Sequence, residues 1–173
     1  DIAKDWKLEL TPTPRGPQLK TMSPEAAIAA ALKIPGKVGQ GEALFAKLNC
    51  AKCHTVKSGE PLRGPFLPNV AKTYKRPQMA EAVLLPSKSL AQGFVTYTFV
   101  LESGKSLTGF VTNEAAEEIT IRDNEGREFK LATDEIEERA KQSVSVMPEG
   151  LVKDITIDEF ASLLAYLESL AGK

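Results

Sequence analysis

Apolar positions along the chain follow two different periods. An Ala-rich run opens at Ser23-Pro24-Glu25, with Ser23 as N-cap and Pro24 in the first turn, and reaches Leu32 before Pro35-Gly36 ends it. A second helix is predicted over about 39–48, where Ala43, Leu44 and Leu48 share a stripe with Phe45 beside it. Residues 55–76 read as loop, punctuated by Gly59, Pro61, Gly64, Pro65 and Pro68. A third helix is expected over 78–85, stopped by Pro86. After Gln92-Gly93 the period falls to two. Strands are predicted at 94–101, 107–112, 119–122 and 128–132, with a fifth inside 135–146, separated by Ser103-Gly104 and Asp123-Asn124-Glu125-Gly126 turns. From Ile157 the helical period returns, with Phe160, Leu163, Leu164, Leu167 and Leu170 on one stripe. Helices, then short strands, then one helix is the pattern of a β insertion in an all-α domain.

Composition narrows the chemistry. The 173 residues are 42% hydrophobic and 26% charged, which suits one domain carrying an insertion. A net charge of −1 gives no global pull toward nucleic acid, and no run approaches the ~20 apolar residues of a membrane span. The near-neutral total hides an asymmetry: residues 36–90 hold nine basic and three acidic residues (+6), while 94–140 hold five basic and eleven acidic (−6). The acidic insert is expected to steer a basic partner or to neutralise the basic segment in cis. A start at Asp1 without Met reads as a processed or excised chain. One His excludes bis-histidine metal sites, and two Cys are too few for a disulfide framework.

Those scarce residues are contiguous, in Cys50-Ala51-Lys52-Cys53-His54. Two thiols three positions apart on one turn can add to neighbouring vinyl groups of a haem, and the adjacent His then lies beneath the iron. A thioredoxin-like pair would need a strand before and a helix after, whereas here a helix precedes and a Gly/Pro loop follows. Half of a zinc site would need two further Cys or His, which the chain lacks. One covalent haem c with its iron is the cofactor so implied. A sixth iron ligand is commonly Met. Of three candidates, Met22 lies in the arm, Met79 starts a predicted helix and reads as core, and Met147 stands in an irregular segment stiffened by Pro148. Met147 is therefore the expected axial partner of His54. Arg63, Tyr74 and Arg76 flank the motif and are candidates for haem carboxylates.

Gly41 and Phe45 ahead of the motif, Gly64-Pro65 after it, Met147-Pro148 and the terminal Leu163-Leu164-Ala165-Tyr166-Leu167 helix resemble class I cytochromes c. More closely, Leu84–Lys88, Tyr97–Phe110 and Ser145–Leu151 resemble the haem-binding domain of large planctomycete and verrucomicrobial proteins, over about 38–171. Val146 departs from that pattern, where Leu is expected. The resemblance implies that the first and last helices cross, with Gly41 and Phe45 against Tyr166, and that Pro65 offers its carbonyl to the His54 ring.

The expected fold class is α+β: an all-α class I cytochrome c core interrupted by a small antiparallel β-barrel-like insertion. Residues 1–37 form an N-terminal arm with a short helix, 38–93 and 144–173 the haem domain, and 94–143 the insertion, whose ends must meet near the haem edge on the Met147 side. The function implied is one-electron transfer between redox protein partners, including a dehydrogenase domain of a larger protein, rather than an enzymatic activity. Family chemistry implies a periplasmic or otherwise extracytoplasmic location. The alternatives are a gas sensor or weak peroxidase with a labile Met147, and a docking module acting through the β insertion.

Overall fold

The computed structural model describes residues 16–172, so the first fifteen residues of the expected arm lie outside the described residues. Five helices and five strands follow in the order α1 (Pro24–Ala31), α2 (Val38–Lys47), α3 (Leu67–Thr73), α4 (Arg76–Leu84), β1 (Thr96–Leu101), β2 (Ser106–Glu114), β3 (Glu118–Arg122), β4 (Glu128–Ala132), β5 (Ile136–Lys141) and α5 (Ile157–Ser169). Local chemistry sets the helix starts. Ser23 Oγ accepts from Ala26 N at 3.3 Å with Pro24 in the first turn. Thr156 and Glu159 form a reciprocal capping box at α5, where Asp158 and Glu159 also complement the helix dipole.

One helix was not expected. α3 lies inside 55–76, because Pro68 falls in its first turn, where a missing N–H costs no helical hydrogen bond. The same effect lets Pro77 sit inside α4, which begins two residues earlier than the pattern suggests.

Two separate apolar clusters organise the chain. The larger joins α1 through α5, with Leu44, Phe45, Phe160, Leu163, Leu164 and Leu170 all buried. α5 is its axis: Ile157, Ala161, Ser162 and Tyr166 are buried as well, so the helix is covered on nearly every side. The end of the arm docks on this core rather than trailing from it. Leu19 is buried, and its N–H donates to Ile155 O at 3.0 Å while Lys20 N–H donates to Lys153 O at 2.9 Å.

The smaller cluster, Phe99, Leu101, Ile119, Ile121 and Leu131, lies on one face of the sheet. All pairings are antiparallel, in the order β4-β3-β2-β1-β5, with register shifts at Val100/Leu101 and at Val111/Asn113 that curl the sheet. The expected barrel does not close. β4 passes through one tight turn, Thr133–Glu135, into β5 on the opposite edge, and no ladder joins those two strands among the described residues. The strands are short, and both edges carry charge: Glu128 and Lys130 on β4, and Glu137, Glu138, Arg139 and Lys141 on β5.

Candidate functional site

The Cys50–His54 segment is aimed by the end of α2. Asn49 takes a left-handed conformation (φ 60°), which turns the chain sharply after Leu48; Asn tolerates this better than most residues. The next residues form one tight turn, in which Cys50 O accepts from Cys53 N at 3.2 Å and from His54 N at 2.9 Å. Both thiols are free. Burial pushes the Cys50 thiol up, and the neighbouring Cys53 adds to the rise, so Cys50 is held as a neutral thiol.

The loop after this turn folds back onto it. Leu67 N–H donates to Thr55 O at 3.2 Å, and Pro65 O lies 3.0 Å from His54 Nδ1. That contact selects the tautomer with the proton on Nδ1 and leaves Nε2 as the nitrogen with a free lone pair. Burial lowers the His54 pKa, against the opposing effect of the Pro65 carbonyl, so the ring is neutral near pH 7. A neutral imidazole with one committed nitrogen is the form that ligates a metal.

Cys50, Cys53, His54 and Met147 all line one cavity of about 330 Å³. Its walls are mainly apolar, with Phe45, Leu67, Leu163 and Leu167 from the helical core. Met147 reaches it from a loop in which Ser145 Oγ accepts from Met147 N at 3.1 Å and Ser145 N donates to Ser87 Oγ at 3.2 Å. Ser87 precedes the sheet and Ser145 follows it, so the chain enters and leaves the sheet beside Met147. Two thiols, one imidazole nitrogen and an apolar slot fit a flat, largely apolar, covalently held macrocycle.

The other candidates divide. Arg63 and Tyr74 line the cavity. Arg76 does not: its guanidinium meets Glu168 at 2.5 Å, Ile34 O at 2.8 Å and Ala161 O at 2.9 Å, tying α4 to α5 and to the α1–α2 connection. Its direction follows from its place in the first turn of α4, which packs on α5. Met79 is buried at 4% exposure, as a core residue should be, yet it lines the cavity too. Asn124, read in the sequence only as part of a turn, stands exposed at the cavity mouth, brought there by tertiary folding that leaves no local signal.

A turn carrying two thiols and an imidazole against an apolar cavity is the architecture of a haem-binding electron carrier. Residues 38–171 match the family model described as Cytochrome c, and the chain belongs to that family. A search of curated proteins returned no match. Membership makes this a haem-binding, electron-transfer cytochrome of c type, in a family whose members hold haem c covalently and serve redox partners. Such domains are generally electron carriers rather than enzymes and are typically extracytoplasmic in bacteria. Among the described residues, no helix is long and apolar enough to cross a membrane.

Proposed function

We propose that the chain holds a single haem c through Cys50 and Cys53, with His54 and Met147 as axial ligands, and passes one electron at a time between redox proteins in the periplasm. The observation that carries this reading is the convergence of those four side chains on one mainly apolar cavity. The haem supplies the Fe(III)/Fe(II) couple. The protein supplies a fixed imidazole through Pro65, a sulfur from a loop anchored at Ser87, and helical walls that exclude water. Six-coordination keeps reorganisation small and leaves no position for a substrate. The basic 36–90 segment and the acidic insert make such exchange sensitive to partner charge. In this reading the chain serves a larger redox assembly, such as one containing a dehydrogenase, and the haem domain spans 38–93 and 144–173 around the 94–143 insertion.

Expression with a c-type haem maturation system tests the reading. Haem that stays attached after denaturation supports the two thioethers. A ferric spectrum with a methionine–iron charge-transfer band, lost in Met147→Ala, supports the ligand pair. Wild type that binds carbon monoxide as readily as Met147→Ala would instead favour a sensor or peroxidase with a labile methionine.

A further inference from the structure

We infer that the β3–β4 turn is a wall of the haem cavity and that Arg122 positions it there. The inference rests on the haem reading above. The turn is rigid in its own right. The Asp123 carboxylate, itself buried, accepts from Glu125 N and Arg127 N, each at 2.9 Å, and from Arg127 Nε at 2.7 Å. This fixed loop leaves the sheet and sets Asn124 at the cavity mouth.

Two contacts hold it against the loop that follows the Cys-Cys-His turn. The Arg122 guanidinium donates to Leu62 O and pairs with Glu128, and its side chain is only 16% exposed. Gly126 (φ +83°) has the Arg63 side chain lying where a Cβ would be, 2.5 Å from Nε and 2.8 Å from Cδ. Arg63 continues toward the motif, with Nη1 3.4 Å from the carbonyl of Lys52. Residues 57–63 are otherwise exposed, so Arg122 is the main polar anchor for that stretch. The insertion therefore reaches the cavity twice: through its roots beside Met147 and through this turn beside Arg63.

The consequence is electrostatic. A wall at the mouth keeps water from the iron, and burial favours the less charged Fe(II) state. Releasing the wall admits water, lowers the midpoint potential and opens the edge to small reductants. The contact between His54 and Pro65 persists, because Leu67 N–H still anchors that loop to Thr55 O.

The test compares haem-loaded wild type, Arg122→Ala, Arg122→Lys and Arg139→Ala by potentiometry and by the rate of reduction with ascorbate. Arg122→Ala is expected to show a downward shift in potential and faster reduction, and Arg122→Lys, which keeps a donor for Leu62 O, values near wild type. Arg139 pairs with Glu114 and stacks 4.3 Å from the Tyr97 ring centroid, away from the mouth, so Arg139→Ala should change neither reading. An unshifted Arg122→Ala, or an Arg139→Ala shifted equally, overturns the inference. If Arg122→Ala does not fold, Gly126→Ala, which displaces Arg63, must shift both readings the same way, and its failure to do so overturns the inference. A wild type without covalent haem overturns the haem reading itself.

Discussion

Gly41 of α2 lies directly against Tyr166 of α5: a Cβ on the glycine would stand 2.7 Å from Tyr166 Cβ and 2.7 Å from the carbonyl carbon of Ser162. The missing side chain lets the two helices cross closely enough for Phe45 to meet Tyr166 at 5.4 Å between ring centroids, tilted by 53°. Phe45 in turn walls the cavity, so this crossing couples the fold to the site. Gly41→Ala would force backbone and aromatic ring apart, costing about 1–3 kcal/mol as overpacking does. A thermal melt should show Tm lower by several degrees, and an unchanged Tm would show that the crossing relaxes freely.

Arg76 makes a different prediction. It bridges α4, the α1–α2 connection and α5 through three backbone carbonyls, of Ile34, Pro35 and Ala161, and through Glu168, and its side chain is 15% exposed. Hydrogen bonds from a charged group are each worth more than neutral ones, but Glu168 is partly solvated, which discounts the ion pair. Arg76→Ala is expected to cost about 2–3 kcal/mol in chemical denaturation. Its haem spectrum and midpoint potential should match wild type, since the guanidinium faces away from the cavity. A shifted potential with unchanged stability would return Arg76 to the haem carboxylates.

How far the sequence reveals this molecule depends on whether a feature is local. The Cys50–His54 motif is contiguous, so it is visible without any tertiary information, and α5 announces itself through a sustained stripe ended by caps. α3 stayed hidden because prolines read as breakers unless their place in a first turn is known. Sheet closure was illegible, since it depends on where β4 and β5 lie in space. Side-chain direction was equally so: Arg76 and Tyr74 are near neighbours in sequence but face different parts of the fold. Asn124 reaches the cavity from far along the chain, and only the tertiary path of the hairpin puts it there.

Acid should loosen the β3–β4 turn through Asp123. Burial pushes its carboxyl up, but Arg127 and the backbone N–H groups of Arg127 and Glu125 outweigh that, and the pKa falls below its ordinary 3.8. A carboxyl with a depressed folded pKa contributes stability that is present above 3.8 and lost as pH falls through the lower folded value. The protection factors of the β3–β4 turn amides, with the intrinsic pH dependence of exchange divided out, should therefore fall below pH 3.8 in wild type. In Asp123→Asn the turn should exchange faster already at neutral pH and lose this acid dependence. Identical profiles for the two proteins would show that Asp123 does not hold the turn.

Two methionines line the cavity, and they differ in what holds them. Met79 projects from the middle of α4 and is 4% exposed, packed in the main core, so its sulfur is confined by neighbours on a rigid helix. Met147 is half-buried in a loop fixed by Ser145 and Ser87, and Pro148 beside it limits the backbone. Leucine conserves the volume of either side chain, so both Met→Leu variants should lose less than about 1.5 kcal/mol and remain folded. Leucine cannot donate a sulfur to iron, which separates packing from ligation. Met147→Leu is expected to abolish the methionine–iron charge-transfer band, to lower the midpoint potential as the thioether is lost and to admit carbon monoxide to the ferrous form. Met79→Leu should keep the band and exclude the gas. The reverse pattern would move the sixth ligand from the loop to α4, and loss of the band in both would mean that packing around the haem, rather than one sulfur, sets its coordination.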